Sequence, residues 1–345
     1  MAARMAAFGP VSTSVRFTVL KTFTGVTPDV PAVILAPMEG VTDSPMRAVL
    51  TEFGDYDFCV SEFLRISQDI LPERVYFDHV PELAKGCRTP AGTPIQWQLL
   101  GGDPDLMARR ALRAIEVGAP GIDLNFGCPA PTVNRHDGGA ALLRYPHRIR
   151  EIVKAVRDAV PARYPVSAKL RLGFDSMEQI FLNAKMVEEG GASWITIHAR
   201  TKTQGYVPPA YWKYIGEVKK TLSIPVVANG EIWNREDFLR CREQTGCIHF
   251  MIGRGALADP SLPIIMAREL GISDRVAVPF STSPEAWRAI LHRFAHYSEP
   301  MAGGSRYTTR RIKQWMKIAH LKRGIPWFDQ LKVTEDLPQV FSLID

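Results

Sequence analysis

Short β-branched runs recur down this chain and alternate with amphipathic stretches, and no other feature restricts the fold as tightly. The runs fall at 32–36, 58–61, 95–99, 121–125, 166–171, 194–198, 225–229 and 248–252. Helix-patterned segments lie between them, at 103–117, 146–160, 177–189 and 237–244. Continuous apolar pairs such as Ile34-Leu35 mark strands covered on both faces, which parallel sheets flanked by helices provide. Eight such units over roughly 250 residues match the size of a (β/α)8 barrel. A doubly wound open sheet is the competitor, but no G-x-G-x-x-G follows the first strand. Beyond Pro260 the alternation stops, and 284–298 and 306–323 read as helices. The expected architecture is therefore α/β, a (β/α)8 TIM barrel over 31–260 followed by a smaller C-terminal helical domain over 261–345. Residues 1–30 carry Arg4, Arg16 and Lys21 with no acid before Asp29, a composition like that of a mitochondrial presequence. They are read as a disordered extension or an upstream start, outside the fold.

A hydrophobic content of 46% is enough for a core. No apolar run approaches the roughly 20 residues of a membrane span, so no membrane association is expected. The five cysteines are odd in number and lack a C-x-x-C pair, which argues against a disulfide framework or a thiolate zinc site. A reducing, cytoplasmic compartment and a monomer follow as expectations. His292 and His296 stand four apart but have no third ligand, and no metal is expected.

The formal charge of +6 is concentrated at the ends, with 10 Lys/Arg against 6 Asp/Glu after residue 280. Arg306, Arg310, Lys313 and Lys317 fall on one helical face. Like charges at that spacing repel by a few tenths of a kcal/mol per pair, so a stripe of one sign carries a cost. A phosphate backbone lying against it would offset that cost, and a nucleic-acid partner is expected.

In a barrel of this kind chemistry sits at the carboxyl ends of the strands. Those ends carry Pro37-Met38-Glu39-Gly40, Glu62, Gln98, Asn125 to Pro129, Lys169 with Arg171, His198-Ala199-Arg200, Asn229-Gly230-Glu231 and Gly253-Arg254-Gly255. Gly230 and Gly253 to Gly255 follow strands seven and eight, where barrels hold phosphates on backbone N–H groups, and Arg254 adds a charge. Lys169 would be costly to bury without an anion. A reduced flavin, a carboxylate substrate and a Schiff base all remain open for it. Cys128 lies between Gly127 and Pro129 in a loop just past a strand end. Its thiol is read first as a proton donor, since no Cys–His–Asn spacing supports a nucleophile.

Six blocks together resemble the tRNA-dihydrouridine synthase family. They are Ala36-Pro37-Met38-Glu39-Gly40-Val41-Thr42-Asp43, Asp123-Leu124-Asn125-Phe126-Gly127-Cys128-Pro129, Lys169-Leu170-Arg171-Leu172-Gly173, His198-Ala199-Arg200-Thr201, Ala228-Asn229-Gly230-Glu231-Ile232 and Met251-Ile252-Gly253-Arg254-Gly255-Ala256-Leu257. They occur in the family's order, and the likeness runs from about Val33 into the C-terminal helices. Tyr56-Asp57, Ser61-Glu62-Phe63 and Arg311-Ile312-Lys313-Gln314-Trp315 are most similar to the bacterial C subfamily, which acts on uridine 16 of the tRNA D-loop. The resemblance implies an FMN-dependent reduction of the uridine C5=C6 bond, with NADPH as reductant. Carried over by motif, Pro37, Met38 and Glu39 lie along the flavin, Gln98 meets its ring edge, and Lys169 stabilises its N1 side. Asn229, Gly230, Glu231, Gly253 and Arg254 cover the phosphate end, with His198 at the mouth. Asn125 positions the uracil and Cys128 protonates C5. Arg171, Arg306, Arg310, Arg311, Lys313 and Lys317 are taken as contacts to substrate or tRNA.

One departure is Pro131, where many relatives carry Lys; Arg135 or His136 is the candidate replacement charge. Two other readings compete. A flavin barrel of the dihydroorotate dehydrogenase type acting on a small pyrimidine would not need the basic helix. A tRNA-binding protein without chemistry would not need Cys128, Lys169 and His198 together.

Overall fold

The computed structural model describes residues 23–67, 71–134 and 138–345. Eight strands form where the β-branched runs lie: β1 (Ala32–Leu35), β2 (Phe58–Arg65), β3 (Ile95–Leu100), β4 (Ile122–Phe126), β5 (Val166–Arg171), β6 (Trp194–His198), β7 (Val226–Asn229) and β8 (His249–Ile252). They pair in sequence order, all parallel, and β8 closes on β1. The side-chain period of two divides each strand between two cores. Val33 and Leu35 pack outward into the helical layer, whereas Ala32, Ile34 and Ala36 join Phe58, Val60, Trp194, Val227 and Met251 inside the barrel. The expected boundaries hold to within a residue or two except at β2. A register shift between Val60 and Phe63 carries that strand on to Arg65, beyond the expected end near Ser61.

The barrel helices are α1 (Ser44–Phe53), α2 (Glu73–His79), α3 (Pro104–Glu116), α4 (Pro146–Ala159), α5 (Ile180–Glu189), α6 (Trp212–Lys219), α7 (Arg235–Thr245) and α8 (Leu262–Glu269). Asp43, Asp103 and Asn234 cap α1, α3 and α7 by accepting from a backbone N–H in the first turn. Helix α8 lies beyond residue 260 yet packs beside α7 and β1, so the barrel runs on to Glu269.

The sequence places the segment before β1 outside the fold, but its described part is packed. Phe23 meets Phe58 edge to face at 5.1 Å, and Val26 is buried with Trp194 in the barrel interior. Gly25 has φ +71°, and a Cβ there would come within 2.3 Å of the Trp194 ring. Residues 23–30 thus plug the amino end of the barrel; 1–22 lie outside the described residues.

After the barrel come α9 (Pro284–Ser298), α10 (Gly304–Arg323), α11 (Phe328–Leu331) and α12 (Leu337–Ser342). Trp287, Phe294 and Trp315 pack edge to face between α9 and α10. Trp315 also donates its indole N–H to the Leu257 carbonyl at 2.8 Å, fixing α10 to the short helix Arg254–Ala258 that follows β8. His292 stacks on Phe341 and meets Asp345, so it serves packing at the C-terminus. Among the described residues no helix is long and apolar enough to cross a membrane.

Candidate active site

The strand ends converge on a cavity of about 570 Å³ at the carboxyl face of the barrel. Of the expected cofactor residues, Pro37, Met38, Glu39, Gln98, Lys169, His198, Asn229, Gly230, Glu231, Gly253 and Arg254 all line it. Asn125, Cys128 and Arg171 line it too, as does Ile318 from the basic helix α10.

Lys169 projects from β5 and makes no hydrogen bond or ion pair among the described residues. Burial, then the neighbouring Arg171 charge, lowers its ammonium to about 8, against the pull of Asp123 and Cys128. His198, at the end of β6, is 7% exposed and its Nδ1 has no partner among the described residues. Burial, then the positive charges of Arg171, Lys169, Arg200 and Arg254, hold that imidazole well below its ordinary value. It is neutral at physiological pH. Glu39 is exposed on the loop after β1, and partial burial of its carboxyl raises it above the ordinary value.

Cys128 follows β4, and its loop is held from below. Asn125 Oδ1 accepts the backbone N–H groups of both Gly127 and Cys128 at 2.9 Å. The Asn125 amide nitrogen donates to Gln98 Oε1 at 2.8 Å. The motif resemblance gives Asn125 to the substrate; its oxygen also shapes the cysteine loop. Burial pushes the thiol above its ordinary range, and the Glu39 carboxylate adds to the effect. Cys128 therefore keeps its proton at neutral pH. Cys59, Cys87, Cys241 and Cys247 are all buried. Pro131 opens the short helix Pro131–Asn134 and lines the cavity. Arg135 and His136 lie outside the described residues.

At the opposite rim, Gly230 has φ +115°, and a Cβ there would come to 3.2 Å from His198 Nε2. A Cβ on Gly253 would reach Met38 Sδ at 3.0 Å. Both glycines keep space open along the wall. Glu231 itself adopts φ +58°, and its carboxylate accepts from the fully buried Arg200 at 3.1 Å and from Arg254 at 2.8 Å. Burial opposes its ionisation, yet those hydrogen bonds and charges hold it below the ordinary carboxylate value.

Some of the expected substrate and tRNA contacts also have structural partners. Arg171 is buried and donates to the carbonyls of Gly127, Thr201 and Gly205, tying the β4 loop to the β6 loop. Arg311 is 5% exposed and bonds Gly40 O, Val41 O and, at 3.1 Å, the Asp43 carboxylate. Both guanidinium groups hold loops, because buried carbonyls and a carboxylate satisfy them better than solvent, and Arg171 does so while lining the cavity. Lys313 donates to the Thr334 carbonyl. Arg306, Arg310 and Lys317 remain exposed on α10. Glu62 lies off the cavity, where its Oε1 accepts the Val41 N–H at 2.9 Å; burial, then Glu39 and Asp43, raise it to about 7.

Tyr206 is absent from the residues that sequence reasoning selects. It lines the cavity, meets His198 edge to face at 6.1 Å, and lies under Arg254 at 4.4 Å. The available signal is an aromatic residue just after Gly205 in the loop beyond the sixth strand. The cavity fits a planar anionic group: the Lys169 ammonium, the His198 ring and a glycine-lined wall beside Arg254 all line it.

A closed parallel barrel with such a mouth defines a (β/α)8 enzyme built to hold an anionic ligand over its strand ends. The family model for dihydrouridine synthase matches residues 34–326. The tRNA-dihydrouridine(16) synthase of Shewanella oneidensis is 47% identical over 319 residues, covering 90% of this chain and 97% of that protein. The protein of the same name from Haemophilus influenzae is 46% identical over 306 residues, covering 88% and 96%. Among solved structures, a 2-naphthoyl-CoA reductase complex superposes with TM-score 0.52 at 13% identity, over 68% of this chain and 50% of that one. Histamine dehydrogenase from Rhizobium sp. 4-9 gives 0.52 at 14%, over 81% and 51%. These two are likenesses of fold alone. The chain belongs to the dihydrouridine synthase family.

Proposed function

We propose that this chain reduces the C5=C6 bond of a tRNA D-loop uridine, at position 16, with FMN as resident cofactor and NADPH as reductant. The observation that carries the reading is a protonated Cys128 thiol sharing one cavity with the unpaired Lys169. When bound, FMN supplies the hydride that uracil accepts at C6. Addition there leaves enolate-like charge toward C5, which a proton must neutralise. Cys128 holds that proton at neutral pH and delivers it to C5 as general acid. Lys169 would supply the positive charge that a reduced flavin needs, and Gly230, Gly253 and Arg254 would hold the cofactor's phosphate. His198 offers the ligand an uncharged ring nitrogen. Ile318 brings α10 to the cavity rim, so a tRNA lying on Arg306, Arg310 and Lys317 has its loop beside the mouth. An unpaired loop base leaves its stack at least cost. Position 16 follows the names of the relatives, and NADPH as reductant follows the motif resemblance.

The test is Cys128→Ala. The variant is expected to purify with its flavin and to be bleached by NADPH as the parent is. Dihydrouridine at position 16 should form about 100-fold more slowly or less, the usual scale for loss of a general acid. Near-normal conversion of tRNA would remove Cys128 from the role.

A further inference from the structure

Beneath the cavity floor, the barrel interior carries a chain of polar side chains that the activity does not by itself require. We propose that Asp123, which is 1% exposed and does not line the cavity, is a positioning residue that orients Gln98, Asn125 and through them the backbone of Cys128. This deepens the proposed role of Cys128 and rests on it for its catalytic meaning.

The argument is one of hydrogen-bond polarity. Asp123 Oδ1 accepts the Ser167 hydroxyl at 2.6 Å and Oδ2 accepts the Gln98 amide nitrogen at 2.7 Å. Ser167 Oγ already accepts from Gln96 Nε2 at 3.0 Å, so its own proton is left for the carboxylate. Burial raises the Asp123 carboxyl, while the Gln98 and Ser167 hydrogen bonds and the Lys169 charge favour its ionised form. As a carboxylate it only accepts, so Gln98 must present nitrogen to it and oxygen to Asn125. Asn125 must then present nitrogen to Gln98, at 2.8 Å, and oxygen to the N–H groups of Gly127 and Cys128. Each amide has two orientations, and the relay has one consistent sense. Reversed, it sets Gln98 oxygen against the carboxylate and Asn125 nitrogen against two backbone N–H groups.

Asp123→Asn keeps the shape and breaks the sense. If the new amide keeps its oxygen on Gln98, its nitrogen faces Ser167 and the serine proton loses its acceptor. If it turns, Gln98 and then Asn125 must flip, and the cysteine loop loses the oxygen that holds it. An unsatisfied buried donor costs far more than the net value of one bond.

The test uses the purified holoprotein and reads thiol alkylation by iodoacetamide, peptide by peptide. Four of the five cysteines are buried, so in the parent the reagent reports on Cys128. Asp123→Asn is expected to alkylate Cys128 several-fold faster while Cys59, Cys87, Cys241 and Cys247 stay protected. Turnover on tRNA should fall by about tenfold to a hundredfold, the scale of a small misplacement at a reacting centre. General loosening is separable, because it exposes all five thiols. In that event Ser167→Ala decides, since it removes one donor and is expected to shift Cys128 alone by a smaller factor. Cys128 alkylation at the parental rate in the folded variants overturns the relay. Faster alkylation with undiminished turnover leaves the relay standing and refutes the acid role of Cys128.

Discussion

Lys169 shows how a single buried charge converts structure into a pH dependence. Its ammonium is lowered to about 8 by burial and by Arg171, from an ordinary 10.5. Between those values the unfolded chain binds the proton and the folded one does not, so for the free protein this group adds stability as pH rises. An anion in the cavity reverses the preference by favouring the charged form. Flavin affinity is therefore expected to fall as pH rises through about 8, by up to tenfold per unit. Lys169→Met should bind more weakly at neutral pH and lose that slope. Titration of flavin fluorescence between pH 7 and 9.5 measures both, and a flat profile for the parent refutes the assignment. At this scale the sequence tells which residue types line the mouth, because strand ends and motif spacing place them. It does not tell whom they bond. Gln98 and Asn125 line the cavity as expected, but their amides also bond each other, Asp123 and the Cys128 loop across separations in the chain that no local pattern encodes.

Among the elements, α10 does two jobs on two faces. Helical periodicity locates the basic stripe, and Arg306, Arg310 and Lys317 are exposed as it implies. Periodicity cannot separate Arg311 from that group, since its partners come from the loop between β1 and α1. Arg311 and Gln314 hold the Gly40 carbonyl, Arg311 adds Val41 and Asp43, and Tyr307 also bonds Asp43. That loop carries Met38 and Glu39 into the cavity, so the clamp sets the basic helix against the loop that lines the cavity. Arg311→Met leaves the Val41 carbonyl without its donor and takes the charge partner from a half-buried Asp43 that Tyr307 and the Met46 N–H still hold, and a loss of about 2 kcal/mol in urea unfolding is expected. Arg311→Lys should recover little of it, because one ammonium cannot span the three acceptors that a guanidinium fork reaches. Full recovery by lysine would show that charge alone, without the fork, holds the helix.

On the scale of the whole molecule, the barrel is legible because eight apolar runs and their intervening helices are local signals repeated in order. The plug at its amino end is not, since 23–30 has no periodicity and its packing depends on Gly25 passing the Trp194 ring. Charge is the other global property, and it makes a quantitative claim about RNA. The excess positive charge lies toward the chain ends, and α10 presents Arg306, Arg310 and Lys317 beside a cavity that Ile318 helps to line. Each cation that neutralises a phosphate releases a counterion, so each contributes about 0.7–0.9 to the slope of log affinity against log salt. Replacing Arg310 and Lys317 together by Ala should lower that slope by about 1.5 and weaken tRNA binding. The flavin spectrum and NADPH bleaching should be unchanged, because neither side chain lines the cavity. Lys313→Ala provides the internal contrast, since its ammonium is already engaged with the Thr334 carbonyl and should move the slope less. Filter binding across a salt series reads all three proteins in one experiment. A double variant with the parental slope would put the tRNA on another face and leave the stripe without a partner.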